Sequence, residues 1–185
     1  LPSESIHTVR FLTEKDLPRF QSAKDYPKKP FADLSLSARE PVKSVTIHSG
    51  YDRVETLFFV RADTKTFMLH DGIRKGLRFD SGATQTLALD LSKLRSDDAE
   101  RVLSAVTSLL VLSPYEPTKF GKKAQSHKKN ETRTSPELFV KSSLSPSNTK
   151  TIFENSISIS DSTNLVRTLA ELPANKLRTE NYHAK

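Results

Sequence analysis

Side chains able to do chemistry are few in this chain, and their spacing keeps them apart. Five histidines stand at His7, His48, His70, His127 and His183. No two lie three or four residues apart, the spacing that sets two ligands on one helical face, and no H-E-x-x-H occurs. They read as separate surface or strand histidines. Asp97-Asp98 is a pair of neighbouring carboxylates, but it opens an apolar-periodic run, where acidic groups oppose the positive end of a helix. There is no cysteine, which excludes disulfides, thiolate nucleophiles and Cys-based zinc sites. No G-x-S-x-G elbow occurs, and none of the five glycines forms a G-x-G or G-x-x-x-x-G-K loop to cradle phosphate. No catalytic, cofactor-binding or metal-binding residue is assigned.

The one concentration of reactive charge is basic. Lys119, Lys122, Lys123, Lys128, Lys129 and Arg133 fall together against Glu131 alone, and without them a chain of net charge +7 is close to neutral. A phosphate backbone is the partner that such a cluster attracts, so these six residues are the candidate nucleic-acid contact. Only Phe120 is aromatic there, which gives little basis for base stacking. A solvated basic loop is the leading reading and a nucleic-acid-binding or protein-interaction module the alternative.

The elements that would position these groups follow from periodicity. Ile6 to Leu12 alternates as a strand, and Thr13 caps a short helix through Phe20, with Leu17 and Phe20 inward. Residues 21–41 lose periodicity, carry Pro27, Pro30 and Pro41, and read as a long Pro-rich connection laid over the surface. Val42–Ile47 and Arg53–Ala62 are a strand pair joined by a Ser49-Gly50-Tyr51-Asp52 turn. The first alternates and should be half-exposed; the second is nearly continuous and should be covered on both faces. Asp63 or Thr64 then caps a helix to about Leu77, with Phe67, Ile73 and Leu77 on one side. Gly72 and Gly76 either weaken it or let it pack closely, and Ser81-Gly82 stops it.

Thr84 to Leu91 alternates as a further strand. Ser96-Asp97-Asp98 opens the best helix, to Leu112, with Ala99, Val102, Leu103, Val106, Leu109 and Leu110 as its apolar stripe. After the basic loop, 119–136, Glu137–Lys141 is a short strand. Ile152-Phe153 and Ile157-Ser158-Ile159 read as an edge strand or a connector. Asp161 or Ser160 caps a last helix whose buried face is Leu165, Leu169 and Leu172, with Val166 between them. Pro173 should end it, and Thr179 is placed to cap another. Strands alternating with helices argue for an α/β domain, a mixed β-sheet flanked by helices in layers. The division is an α/β domain over 1–160 and a linker over 161–185.

No apolar run approaches the roughly 18–20 residues that span a bilayer, and no signal-peptide pattern is visible. Leu1 is not an initiator methionine, which leaves a processed or trimmed N-terminus open. The default expectation is the cytoplasm.

Asn164-Leu165-Val166-Arg167, followed by Leu172-Pro173-Ala174-Asn175-Lys176-Leu177-Arg178-Thr179-Glu180, resembles the segment joining the two domains of leucine (cytosol) aminopeptidases. That family reads N-L-x-R-x-L and then P-A-N-x-L-T-P; here Arg178-Thr179-Glu180 stands in place of the threonine-proline. Leu112 to Lys123, with Tyr115, Phe120 and its lysines, followed by Leu138-Phe139-Val140, is similar to the family's Y-x-F-D-x-Y-K segment, Lys-rich stretch and strand. The likeness runs from about Val54 onward.

The resemblance implies a macro-domain-like fold for this N-terminal domain and a non-catalytic role in assembly or regulation. It implies a hydrolase as parent: a cytoplasmic, hexameric metallopeptidase that removes N-terminal residues from peptides. The family's two divalent metal ions, usually zinc, are held by a motif of the N-T-D-A-E-G-R type downstream of the Pro-Ala-Asn corner, and this chain has no such motif. No cofactor is therefore expected here. The implied partners are a catalytic domain and sister subunits, with no membrane; a macro-like fold also raises binding of ADP-ribose or a similar nucleotide, which the missing glycine-rich loops disfavour.

Overall fold

The computed structural model describes residues 6–49, 53–77, 86–112 and 137–171. The Gly50-Tyr51-Asp52 turn, the Ser81-Gly82 stop, the basic loop and the Pro-Ala-Asn corner lie outside these residues. The fold is α/β. Five strands, β1 (Ile6–Thr13), β2 (Val42–Ser49), β3 (Arg53–Val60), β4 (Thr86–Asp90) and β5 (Glu137–Lys141), form one sheet in the order β2-β3-β1-β4-β5. β2 runs antiparallel to β3, while β3, β1, β4 and β5 are mutually parallel. Among the described residues no helix is long and apolar enough to cross a membrane.

Strand alternation sends side chains to two cores. On one face Val9, Phe11, Phe58, Leu87 and Leu89 pack with Leu69 and Ile73 of helix α3 (Thr66–Gly76) and with Val102, Leu103 and Val106 of α4 (Ser96–Leu112). Phe11 and Phe58, opposite each other on β1 and β3, stack with centroids 4.7 Å apart. On the other face Leu12, Val45, Leu57 and Phe59 meet Leu17 of α1 (Leu17–Ser22) and Phe31 of α2 (Lys29–Ala32). β3 is covered on both sides, as its unbroken apolar run requires.

The Pro-rich connection is more than a surface strap. Phe31 is fully buried, and Phe20, Tyr26, Phe31 and Phe59 form an aromatic cluster. Gln21 Nε2 donates to the carbonyls of Phe31 and Leu34 at 3.1 and 3.2 Å, closing the loop on itself. Thr13 stands at the expected cap position, where it forms a capping box with Asp16 and leads through a single 3₁₀ turn into α1.

Several expectations need correction. Neither Asp63 nor Thr64 caps α3, because Arg61 grips both oxygens of Asp63 and the Thr64 hydroxyl donates to the Arg61 carbonyl; Lys65 takes the cap position. Phe67 is 69% exposed: the inward face of α3 is Leu69, Gly72, Ile73 and Gly76, four-residue steps from which Phe67 is displaced. α4 opens at Ser96 as expected, but as its first helical residue and not as the hydroxyl cap the sequence suggests; Arg95, whose carbonyl accepts from Ala99 N–H at 2.9 Å, occupies the position before it. Asp98 in that first turn is paired with Arg95 and Arg101.

The largest correction is the last element. Ile152-Phe153 and Ile157-Ser158-Ile159, expected as an edge strand or a connector, belong to α5 (Pro146–Glu171), a helix that runs without a break through Ser160 and Asp161. Its hydroxyls explain how so many serines and threonines sit in a helix. Thr149, Thr151, Ser156, Ser162, Thr163 and Thr168 each donate to the carbonyl four residues back. Ile152, Ser156 and Ser160 recur at four-residue spacing, and small Ser156 and Ser160 are buried in the seam with α4, where Ser156 Oγ and Ser104 Oγ share a 3.0 Å hydrogen bond. Of the apolar residues expected on a buried face further on, Leu165 is 58% and Val166 63% exposed and Leu169 is half-buried, while Leu172 lies outside the described residues.

Close packing of α3 on β2 depends on the two glycines. A methyl group at Gly72 would lie 2.5 Å from Val42 Cβ, and one at Gly76 2.5 Å from Ser44 Oγ and 2.6 Å from the Phe58 ring. Alanine in a helix interior is ordinarily favoured over glycine. Here the obstruction at Gly72 is next to a strand backbone, so Gly72→Ala is expected to destabilise the fold by about 1–3 kcal/mol, read in chemical unfolding. A buried hydroxyl on α4 predicts the opposite sign for another change. Thr107 is 1% exposed and its hydroxyl has no hydrogen-bond partner among the described residues. Thr107→Val, nearly the same shape without the unpaired group, should raise stability by up to about 1 kcal/mol in the same measurement.

Candidate functional site

The six basic candidates, Lys119, Lys122, Lys123, Lys128, Lys129 and Arg133, lie outside the described residues, as do His127 and His183. The structure does bring together groups that their separation in sequence concealed. At the C-terminal ends of β1 and β4 the chain departs to opposite faces of the sheet, toward α1 after β1 and toward α4 after β4. In open α/β sheets such a divergence opens a crevice outside the strand ends, the usual place for ligands. A cleft of about 440 Å³ lies there, walled by Arg19, Phe20 and Tyr26 on one side and by Lys93 on the other.

The strands supply its floor as a row of alternating charge. Arg10 of β1, Asp90 of β4 and Lys141 of β5 stand in direct register across three neighbouring strands. Arg10 lies 3.7 Å from Asp90 and 3.3 Å from Glu55 of β3, and Lys141 is 3.9 Å from Asp90. Ser92 donates to Asp90 Oδ1 through both its N–H at 3.0 Å and its hydroxyl at 2.6 Å. Burial of Asp90 opposes its ionisation, but the Ser92 hydrogen bonds and the charges of Lys141 and Arg10 outweigh that and hold the carboxyl below its usual range. A carboxylate so engaged is a poor general base at neutral pH. The row can hold charge and orient a polar ligand.

The sheet also gathers two histidines that are distant in sequence. His7 on β1 and His48 on β2 flank Val54 of β3 in register. His7 Nε2 shares a 2.9 Å hydrogen bond with the Thr56 hydroxyl, itself 3.0 Å from the Thr46 hydroxyl, and Thr56 is fully buried. Burial lowers the pKa of His7, and the neighbouring His48 lowers it further; burial alone lowers that of His70. Among the described residues no three metal-binding side chains are placed to hold an ion.

The sequence signal for the charged row was present but unreadable alone: Arg10 and Asp90 are outward-facing members of alternating strands. Which strands are neighbours, and hence which charges meet, requires the sheet order. Compared with models of known protein families and with curated proteins, the sequence matches none.

The histidines make stability depend on pH in a definite direction. With folded-state pKa values below the ordinary 6.5, the unfolded chain binds more protons in that range. The stability they contribute is complete above about pH 6.5 and is lost as pH falls through the lowered folded values. Asp90 adds a second loss as pH falls through and below its ordinary range near 4. The melting temperature is expected to drop between about pH 7.5 and 5.5, and to drop less in the His7→Gln/His70→Gln variant. Equal drops in the two proteins would show that these histidines carry no such linkage.

Proposed function

We propose that this chain is the non-catalytic N-terminal domain of a leucyl-aminopeptidase-like metallopeptidase, layered as in macro domains, and that it serves assembly or regulation. The observation that carries the reading is the end of α5. Asn164-Leu165-Val166-Arg167, the first half of the family-like segment, forms the last turns of a helix whose earlier part is packed on α4. There Asn164 Nδ2 donates to the Val111 carbonyl at 3.2 Å, while Leu165 and Val166 turn outward, largely exposed. An apolar strip on a helix end, directly upstream of Leu172-Pro173-Ala174-Asn175, suits coverage by a second domain.

On this reading the parent enzyme removes N-terminal residues from peptides. Two divalent cations, zinc by resemblance, supply a metal-bound water as nucleophile, and their ligands follow the Pro-Ala-Asn corner. Sister subunits of a hexamer and a cytoplasmic setting belong to the same proposal. The charged cleft gives this domain a polar surface of its own.

The reading is tested on the chain as it stands. Incubated with a leucyl amide and zinc or manganese, the 185-residue protein is expected to release no leucine above the buffer rate. Metal-dependent release would overturn the assignment. The coding sequence downstream of Lys185 is expected to contain an N-T-D-A-E-G-R-like motif, and its absence would remove the parent enzyme from consideration.

A further inference from the structure

β5 is an edge of the sheet. It pairs with β4 on one side, and among the described residues nothing pairs with the other. A bare edge offers a row of N–H and C=O groups to any strand that can match it. The five residues of this edge carry a particular pattern, Glu137-Leu138-Phe139-Val140-Lys141. Glu137, Phe139 and Lys141 point to the face that carries α1 and α2 over β3, which is open at β5, where Phe139 is 59% exposed; Leu138 and Val140 point to the face covered by α3 and α4 and are half-buried.

We propose that β5 is a homotypic docking strand: a second copy of this chain adds its own β5 antiparallel to the free edge, about a two-fold axis at Phe139. The two five-stranded sheets then become one sheet of ten. In that register Glu137 of each copy stands opposite Lys141 of the other, so the symmetry makes the ion pair twice. Phe139 meets Phe139 on the exposed face, and Leu138 meets Val140 on the helix side. Opposite charges and apolar residues directly across an antiparallel pair are attractive, and like charges there are repulsive.

The pattern selects this arrangement over its alternatives. Parallel pairing would set Glu137 against Glu137 and Lys141 against Lys141. A shift of one residue would put the two sheets' covered faces on opposite sides, and a shift of two would lose both ion pairs. The other edge, β2, has no such complementarity: Lys43 and His48 are its ionisable groups and both are basic. Lys141 is available for the pairing, since its side chain is 75% exposed and its present contact with Asp90 is long, at 3.9 Å. On the helix side a groove of about 550 Å³ runs beside β5, bordered by Leu138, Val140, Leu144 and Phe153 and by the polar Ser142, Thr149 and Lys150. Leu138 and Val140 of the second copy extend that apolar row. A two-fold contact of this kind is closed, so it ends at the dimer. The inference is independent of the peptidase reading, because it uses only the edge and its charges.

Sedimentation velocity on the full chain, over about 1 µM to 1 mM and at low ionic strength, tests it. Wild type is expected to form a concentration-dependent dimer. Lys141→Glu and Glu137→Lys should each weaken it by about tenfold or more, because two attractions become two repulsions. The double variant Glu137→Lys/Lys141→Glu should regain it, and an equal mixture of the two single variants should form a mixed dimer. Both positions are exposed, and recovery in the double variant separates a lost interface from a lost fold. A chain that stays monomeric across the range overturns the proposal. So does a dimer indifferent to the single changes, or a double variant that fails to recover.

Discussion

The parallel contact between β1 and β3 joins eight residue pairs, from Ile6 with Arg53 to Thr13 with Val60, and every other element is placed by it. The partners are some 47 residues apart in the chain, so the contact can form only if burial offsets the entropy of closing that loop. It does so from both faces. Phe11 and Phe58 stack under α3 and α4, and Leu57 and Phe59 lie beneath the aromatic cluster of the connection. The connection is therefore both the loop to be closed and part of the cover that closes it. Gln21, by holding the Phe31 and Leu34 carbonyls, turns a Pro-rich stretch into a structured lid on the sheet.

Once β1 and β3 are paired, the helices are constrained by how near they can come. α3 reaches β2 because Gly72 and Gly76 present no side chain to Val42, Ser44 and Phe58. α5 reaches α4 because the contact is made by serines, and helices meeting through small side chains can approach closely. Among the described residues, the buried Thr107 and Ser160 hydroxyls and Asn164 Oδ1 have no hydrogen-bond partner. The sheet, by contrast, pairs the buried Thr56 hydroxyl with His7 and Thr46. A helix held on this seam through Asn164, then exposing Leu165 and Val166, changes from core element to surface within one turn.

The charged groups show a related division of labour. Arg10, Glu55, Asp90 and Lys141 form a network on the sheet face near the cleft, partly screened and mutually neutralising. Ser92 completes the coordination of Asp90. Such a network fixes strand register as much as it prepares a surface for a ligand, since one residue of slippage would send each charge to the opposite face. Its outermost member, Lys141, is also the least engaged, which leaves the edge strand with a charge to offer.

The sequence by itself determined the α/β class, the five strands and the long helix α4, because each depends on periodicity within a short window. Val45 and Ile47 alternating on β2, Leu87 and Leu89 on β4, and the stripe from Ala99 to Val106 all report local geometry that burial then reinforces. It also showed that Gly72 and Gly76 were either a weakness or a close contact, without deciding which. Tertiary structure alone decided the rest. Ile157-Ser158-Ile159 alternates like a strand, yet it lies in a helix, since Ile152, Ser156 and Ser160 face α4 and the hydroxyls bond along their own backbone. The candidate site was less legible still. Arg10, Asp90 and Lys141 become neighbours only through the order β1-β4-β5, and strand order depends on which faces the connecting segments can cover, a property of the whole chain that no local pattern encodes.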